Sequence, residues 1–466
     1  MLSDPIAALA TPPGRSALAV VRLSGKGALA VAAKVVPSFR STPPRTAHLA
    51  KFVDDHGALI DRGLYLVYPA PHSATGEDVV EFSCHGGLAV PARLLAALHA
   101  AGARPAEPGE FTRRAVLNGK LDLLQAEAVG DLIEATAESQ AGAALHQMEG
   151  GLSKRIAALR EDLIALEALL AYEVDFPEED DGPIPRSRIE AKRAEVAEKI
   201  ERLLATAPAG ERLREGALVV LTGAPNAGKS SLFNALLGSS RAIVTEVAGT
   251  TRDAIEAHTD FLGWPVRLVD TAGMSERPDR IEAMGMAVSA RYLEAADLVI
   301  VCADGGRGAA GRTGGQADGR TDTANAPHPE RSEGSLKAGD PPSRRAFIEV
   351  ATKADLGPTS GSGISVSVVT GEGIDQLRRI AAERLFGARL PLTDLEPALT
   401  RERHRVALMR AREALEGARE QLLAGGDAVL AAHHVREATR ALDALVGVVD
   451  IEEVLDRVFS SFCVGK

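Results

Sequence analysis

Between Leu152 and Leu170 apolar residues recur at alternating spacings of four and three: Leu152, Ile156, Leu159, Leu163, Leu166 and Leu170. That spacing lines one face of a helix, and such a stripe needs partner helices to cover it. Ile189, Val196, Ile200 and Leu203 supply one, and helical runs near residues 400–423 and 428–446 supply more. Up to about residue 118 the pattern differs. Short β-branched runs ("ALAVVRLSG", "GLYLVYPA", "DVVEFSCHGG") accompany one Ala/Leu-rich stretch ("AVPARLLAALHAAG"), which predicts a small α/β domain. In residues 215–385 apolar strands alternate with helices: "ALVVLTG", "PVRLVDTAG", "DLVIVCAD", "AFIEVATKAD" and "ISVSVV". This alternation predicts a doubly wound parallel sheet. The expected chain is therefore a multidomain α/β and all-α protein: residues 1–118 an α/β domain, 119–214 and 386–466 two parts of a discontinuous helical bundle, and 215–385 a domain inserted between them. Residues 305–344 are rich in Gly, Pro, Ser and Thr and nearly free of large apolar side chains, so they read as a disordered insertion. The acidic stretch "DFPEEDDGPIP" reads as a solvated connection.

Composition narrows the class. At 466 residues the chain has room for two to four domains of about 100–200 residues each. With 45% hydrophobic and 25% charged residues it is a globular composition. No uncharged apolar run reaches the length of about 18 residues that a membrane span requires. The opening "MLSDPIAALATPPGR" carries Asp4 and no sustained apolar segment, unlike a secretory signal or transit peptide. The expectation is a cytoplasmic protein without stable membrane association. Cys84, Cys302 and Cys463 are too few and scattered for a disulfide framework or zinc site. A net charge of −11 argues against an indiscriminate grip on phosphate backbones, and 3% aromatics against a base-stacking platform.

The strongest chemical signal is "GAPNAGKS", Gly223 to Ser230, which fits G-x-x-x-x-G-K-[ST] between a strand and the helical run "SLFNALLG". Its glycines let backbone N–H groups of Asn226, Ala227 and Gly228 wrap phosphates, Lys229 reaches the outer phosphates, and Ser230, followed by Ser231, offers a hydroxyl to Mg²⁺. "DTAG" ends a strand, bringing the Asp270 carboxylate near the metal and Thr271, Ala272 and Gly273 near the terminal phosphate. In "TKAD", Thr352, Lys353, Ala354 and Asp355, the aspartate can accept from the N1 and N2 hydrogens of guanine, a donor pair adenine lacks. GTP is thereby favoured. The usual GTPase pattern begins with Asn where this chain has Thr352, and "SVVTGEG" stands where Ser-Ala is usual. Both departures weaken supports of the guanine loop. Small GTPases also carry a Gln after "DTAG" to position water, and here that residue is Met274. Asn226 and the loop "TEVAGTTRD" could instead hold a monovalent cation beside the phosphates, supplying the positive charge of an arginine finger.

Together with these motifs, "ATPPGRSALAVVRLSG", "TGEDVVEFSCHGG", "PGEFTRRAVLNGKLDLLQAEAVGDLI", "VDFPEE" and "FSSFCVGK" resemble the MnmE (TrmE) family of tRNA uridine-modification GTPases from end to end, apart from the Gly/Pro insertion. The resemblance implies a homodimer with an N-terminal folate-binding and dimerisation domain, a helical domain and an inserted Ras-like P-loop GTPase domain. It implies work with a flavin-dependent partner, MnmG (GidA), to build an aminomethyl or carboxymethylaminomethyl group at C5 of the tRNA wobble uridine. A 5-formyltetrahydrofolate-type cofactor supplies one carbon, and GTP hydrolysis is activated by potassium. Carried over by position, Asn226, Thr245, Val247 and Thr250 hold K⁺, Ser230 and Thr251 hold Mg²⁺, and Glu246, Ala248 and Gly249 belong to the same GTP-binding loop. Glu282 in "RIEAMG" orients the attacking water. Arg22, Glu81, Lys120 and Lys466 contact folate, whose anionic tail suits Arg and Lys and whose pterin N–H donors suit a carboxylate. His85 in "CHGG" has no companion ligands and reads as a hydrogen-bonded turn histidine.

The closing "FCVGK" fits no prenylation pattern, and "IEEVLDRVFSSF" has the amphipathic pattern of a docking helix. With the resemblance, that helix carries Cys463 and Lys466 toward Arg22 and Glu81, making Cys463 a candidate catalytic thiol in the one-carbon step. Two other readings stay open on the motifs: a regulatory or assembly GTPase acting on RNA or ribosomes, and a one-carbon transferase with a regulatory GTPase domain.

Overall fold

The computed structural model describes residues 4–40, 43–175, 185–238, 255–270, 290–305, 346–357, 363–387, 398–423, 427–447, 458–459, 462 and 464–465. The expected insertion 305–344 lies outside them, save for Gly305. The chain divides into two units, Met1–Glu134 with Ala143–Pro208 and Pro397–Lys466, and Ala135–Gly142 with Ala209–Glu396. The α/β and helical parts that the sequence pattern separates thus fall into one unit.

In the first unit, β1 (Ile6–Leu9), β2 (Leu18–Ser24), β3 (His48–Val53), β4 (Leu59–Tyr68), β5 (Val79–His85) and β6 (Arg104–Pro105) form a sheet ordered β3-β4-β5-β2-β1-β6. Side chains alternate across it. Val21, Leu23, Phe52, Tyr65, Val67 and Phe82 turn inward onto α1 (Ala28–Val35) and α2 (Ala89–Ala100). The opposite face is covered at one end, where α3 (Glu110–Leu117) sets Phe111 against Ile6 and Ala8. The register pairs Leu49 with Leu64, Arg22 with Glu81 and Leu18 with His85. On this open face Leu18, Leu49 and Leu64 are exposed. Arg114 of α3, 1% exposed, donates to the Asp4 carbonyl at 2.9 Å, to Glu77 at 3.0 Å and to Glu110 at 2.9 Å. Burial alone would raise the pKa of Glu110, but hydrogen bonds from Arg104, the Glu107 N–H and Arg114 outweigh it and hold the carboxyl below its ordinary value.

The helical part begins with α4 (Leu123–Glu134), α5 (Glu138–Met148), α6 (Gly151–Asp175), α7 (Arg186–Leu204) and α8 (Ala207–Glu215). All six members of the Leu152–Leu170 stripe are buried, as are Ile189, Val196, Ile200 and Leu203 of α7.

The second unit is built on β7 (Ala217–Gly223), α9 (Lys229–Leu237), β8 (Ile255–Phe261), β9 (Trp264–Asp270), β10 (Leu298–Asp304), β11 (Ala346–Thr352), β12 (Ile364–Ser365) and α10 (Ile374–Phe386). Its sheet runs β12-β11-β10-β7-β9-β8. The expectation of a wholly parallel sheet is corrected at one edge, where β8 pairs antiparallel with β9. Leu262 and Gly263 between them both have positive φ, 55° and 84°, and a two-residue turn of that kind closes only an antiparallel hairpin. The expected strand "ISVSVV" is also shorter, since pairing with β11 stops at Ser365.

Two further helices, α11 (Glu402–Leu423) and α12 (Ala428–Val446), return to the first unit and bury Leu408, Leu415, Val435 and Leu442 against α6 and α7. Asp427 caps α12 by accepting from the Val429 N–H at 2.8 Å. A buried polar cluster joins α4 to α11. His404 Nε2 meets Glu127 at 2.8 Å, Arg403 Nη2 donates to the same carboxylate at 2.7 Å, and Arg401 pairs with Asp131 at 2.6 Å. Burial opposes the charged form of both Glu127 and His404. For Glu127 the contacts with His404 and Arg403 prevail and keep it ionised, while His404 is pushed down and stays neutral. A neutral His404 that donates from Nε2 leaves Nδ1 a bare acceptor, in keeping with that buried atom having no hydrogen-bond partner.

Candidate functional site

The C-terminal ends of parallel strands are where ligands bind in such sheets, and here they gather the predicted motifs. β7 ends at Gly223, whose φ of +142° and whose hypothetical Cβ, 2.2 Å from the Cys302 carbonyl, admit no side chain. The loop then turns through Asn226, at φ 63°, and Gly228, at φ 78°, into α9. Gly228 caps α9 with no side-chain hydrogen bond, which leaves the helix N-terminus open to an anion. Lys229 is buried, and its Nζ donates to the carbonyls of Gly223 at 3.0 Å and Ala224 at 2.9 Å. Ser230 and Ser231 follow, exposed, in the first turn. Asp270 ends β9, buried, paired in register with Leu221 of β7.

The TKAD segment grips this loop. Thr352, buried at the end of β11, donates from Oγ1 toward the Ala227 carbonyl at 2.8 Å, with the Ala303 carbonyl at 3.1 Å. Lys353, at φ 58°, sends Nζ to the Asn226 carbonyl at 3.0 Å and to Asp304 at 2.8 Å. Two successive carbonyls of the phosphate loop thereby accept from TKAD side chains. Ala354 donates its N–H to Val366, and Asp355 is exposed. Ser367, fully buried, donates from Oγ to Asp355 Oδ1 at 2.8 Å, so the departure from Ser-Ala after this position does not cost the aspartate its support. Sequence reasoning missed Asp304, which no linear pattern marks, and the Ser367 hydroxyl, although Ser367 opens the quoted "SVVTGEG" and keeps the serine of the usual Ser-Ala. Thr245, Glu246, Val247, Ala248, Gly249, Thr250, Thr251, Thr271, Ala272, Gly273 and Glu282 lie outside the described residues.

A second cluster lies on the open face of the N-terminal sheet. Arg22 and Glu81, expected to serve different ends of a folate, pair with each other: Nε donates to Oε1 at 3.0 Å, and Nη2 lies 2.8 Å from the same oxygen. Their cross-strand register enforces this. Tyr68 reaches Glu81 Oε2 at 3.4 Å, and burial, then the neighbouring carboxylate, raises the phenol pKa. The Arg22 guanidinium also lies 5.7 Å from the Phe111 ring centroid. Lys120 is exposed, with its stem beside Gly76, and neighbouring Asn118 donates to the Thr75 carbonyl at 2.8 Å. Tyr68 and Phe111 were not foreseen, because neither lies in a motif.

The tail seats on this same unit. Phe459 is buried, stacks edge-on with Phe462 at 5.2 Å, and packs by Leu123 and Ala126. Val464 bridges to Pro108, and Gly465, at φ 101°, comes against the Leu9 carbonyl beside β2, the strand of Arg22. Cys463 and Lys466 themselves lie outside the described residues. His85 is hydrogen-bonded, through Nδ1 to Asp61 at 2.9 Å, though at a strand end rather than in a turn.

A phosphate loop between β7 and α9, clasped by a TKAD loop whose aspartate is held ready for a base, defines a P-loop nucleotide hydrolase of the GTPase class. The family model described as the GTP-binding protein TrmE N-terminus matches residues 5–120, and that of the MnmE helical domain matches residues 123–463. Curated relatives named "tRNA modification GTPase MnmE" cover the whole chain and the whole of their own length, at 44% identity in Thermus thermophilus, 41% in Moorella thermoacetica and 39% in Aquifex aeolicus. The G domain of the T. maritima FeoB iron transporter aligns over 36% of this chain and 98% of its own, at 23% identity and a TM-score of 0.23. The chain belongs to the MnmE family of tRNA modification GTPases and is a GTP hydrolase. Among the described residues no helix is long and apolar enough to cross a membrane.

Proposed function

We propose that this chain is a potassium-activated GTPase that acts with a flavin-dependent partner of the MnmG type. Together they place an aminomethyl or carboxymethylaminomethyl group on C5 of the tRNA wobble uridine, with one carbon drawn from a 5-formyltetrahydrofolate-type donor. The full-length identity to tRNA modification GTPases carries this reading. In the G domain, the open N-terminus of α9 and Lys229 hold the phosphates of GTP, and Asp355 takes the N1 and N2 hydrogens of guanine. Ser230 and Thr251 are the proposed Mg²⁺ ligands, with Asp270 close by. Hydroxyl and carboxylate oxygens are the donors that hard cation takes, and when bound it neutralises charge on the transferred phosphoryl group. Asn226, Thr245, Val247 and Thr250 are proposed for K⁺, with Glu282 orienting the water that attacks the terminal phosphorus.

The folate reading rests on Arg22, Glu81, Lys120 and Lys466. A carboxylate has room for about four hydrogen bonds, so Glu81 can accept a pterin N–H while keeping Arg22. Arg22, already committed to Glu81, positions that carboxylate, and Lys120 and Lys466 are left to meet the anionic tail. Cys463 is proposed as the thiol nearest this chemistry. The exposed Leu18, Leu49 and Leu64 on the open sheet face offer a second copy apolar side chains to cover, which supports a homodimer. Mass spectrometry of tRNA nucleosides from cells lacking the protein tests the whole: wobble-uridine aminomethyl-type modifications should disappear, and their persistence unchanged would defeat the reading.

A further inference from the structure

Of the four TKAD residues Thr352 alone is buried. It is 1% exposed, and its hydroxyl has two carbonyl neighbours, Ala227 at 2.8 Å and Ala303 at 3.1 Å. Gly228 approaches closely enough that a Cβ there would lie 3.4 Å from the same oxygen. A hydroxyl carries one proton, whereas an asparagine amide carries two. With both neighbours acceptors, the single proton of Thr352 is committed to backbone carbonyls, and what remains on the oxygen is lone pairs. A purine presents only acceptors, N7 and O6, on its imidazole-side edge when the base is guanine. Thr352 therefore has nothing to offer that edge.

We infer that Thr352 is a positioning residue that fixes the Ala227–Gly228 peptide of the phosphate loop, and that this chain reads guanine without a contact from position 352 to N7. With the Ala227 carbonyl drawn to Thr352, the trans peptide turns the Gly228 N–H to the opposite side, toward the phosphates. Discrimination of the base then falls on Asp355, held by Ser367, at the N1 and N2 edge. This rests on the reading of the loop as a guanine-nucleotide site.

Equilibrium binding of GDP, 7-deaza-GDP, IDP and ADP to the full chain and to Thr352→Val, Thr352→Ser and Thr352→Asn tests it. In the unmodified chain 7-deaza-GDP should bind within about two-fold of GDP, because no donor at position 352 is lost with N7. IDP, lacking the 2-amino group, should bind roughly ten-fold more weakly, the loss of one charge-assisted hydrogen bond. Thr352→Val, of the same shape, should weaken GDP and 7-deaza-GDP equally, by roughly ten-fold, since a buried carbonyl loses its donor. Thr352→Ser should restore affinity, and Thr352→Asn should make GDP bind more tightly than 7-deaza-GDP. Thermal unfolding of each variant checks that the fold is kept. A marked preference of the unmodified chain for GDP over 7-deaza-GDP, or normal GDP binding by Thr352→Val, overturns the inference. Equal binding of ADP and GDP overturns instead the guanine reading on which it stands.

Discussion

The phosphate loop and the Arg22–Glu81 cluster do their work with different materials. From Ala224 to Ser231 the loop is contiguous, and its business is done by backbone groups whose direction is set by φ angles and by two carbonyls held by Thr352 and Lys353. The cluster is assembled from β2, β4, β5 and α3, with the tail settling beside it, and its business is done by charged side chains. A backbone site is robust to most changes of neighbouring side chain, since every residue but proline carries the same N–H and carbonyl. A side-chain site depends on the registry of the elements that build it, and α3, which brings Phe111 to Arg22, is tied down by Arg114 to Asp4, Glu77 and Glu110.

The sharpest way to expose the contrast is to remove that support. Arg114→Met leaves Glu77 without its cation and Glu110 with Arg104 alone, and should cost about 3–5 kcal/mol of stability in the first unit, read by urea unfolding. GTP hydrolysis, housed in the second unit, should change little below the transition; an equal loss of both would break the contrast. Acid should act on the same cluster. Glu110 has a pKa below its ordinary value in the fold, so its contribution is complete above the unfolded value of 4.5 and fades as pH falls through the lower folded one. Unfolding midpoints measured between pH 7 and 3 should therefore decline below about pH 4.5, and less steeply in Glu110→Gln.

The phosphate loop has one side chain it cannot spare. Lys229→Ala should slow GTP turnover by about 10²–10³-fold, as the loss of a group aimed at developing charge does, while leaving the thermal midpoint nearly unchanged. Smallest is Arg22→Ala. Removing one charge-assisted hydrogen bond from Glu81 should weaken 5-formyltetrahydrofolate binding, measured by calorimetry, by roughly ten-fold with GTP turnover intact. Undiminished folate affinity would mean that Arg22 is a structural partner of Glu81 and nothing more.

The same contrast explains what could be read in advance. The helix stripes, the phosphate loop and TKAD were legible because each depends on neighbours within a few positions, so spacing alone encodes them. The burial of Leu152 through Leu170 against α7 followed directly. The Arg22–Glu81 pairing was not legible, since it depends on which strands lie side by side. Each charge alone reads as an ordinary surface charge, and only the motif context makes it a ligand contact. Tyr68 and Phe111 enter for the same reason. The hairpin of β8 and β9 turns on a Leu-Gly pair with positive φ, a weaker signal than the Asn-Gly or Asp-Gly that usually marks such turns. Thr352 looked like a defect in a motif, and only its contacts showed that the hydroxyl still reaches the phosphate loop.

The interrupted helical part has a consequence in time. α6 and α7 leave the ribosome with their apolar stripe complete, yet α11 and α12, which cover it, follow only after residues 205–401 have been made. At about 5–20 residues per second that is a wait of roughly 10–40 seconds, long against the microseconds in which helices form. During that interval the leucines of α6 are an unfinished surface on a nascent chain, while the nucleotide-binding unit behind them is already free to fold. Exposed apolar surface of this kind is prone to aggregation, and its exposure should be longest when translation pauses between Leu204 and Glu402.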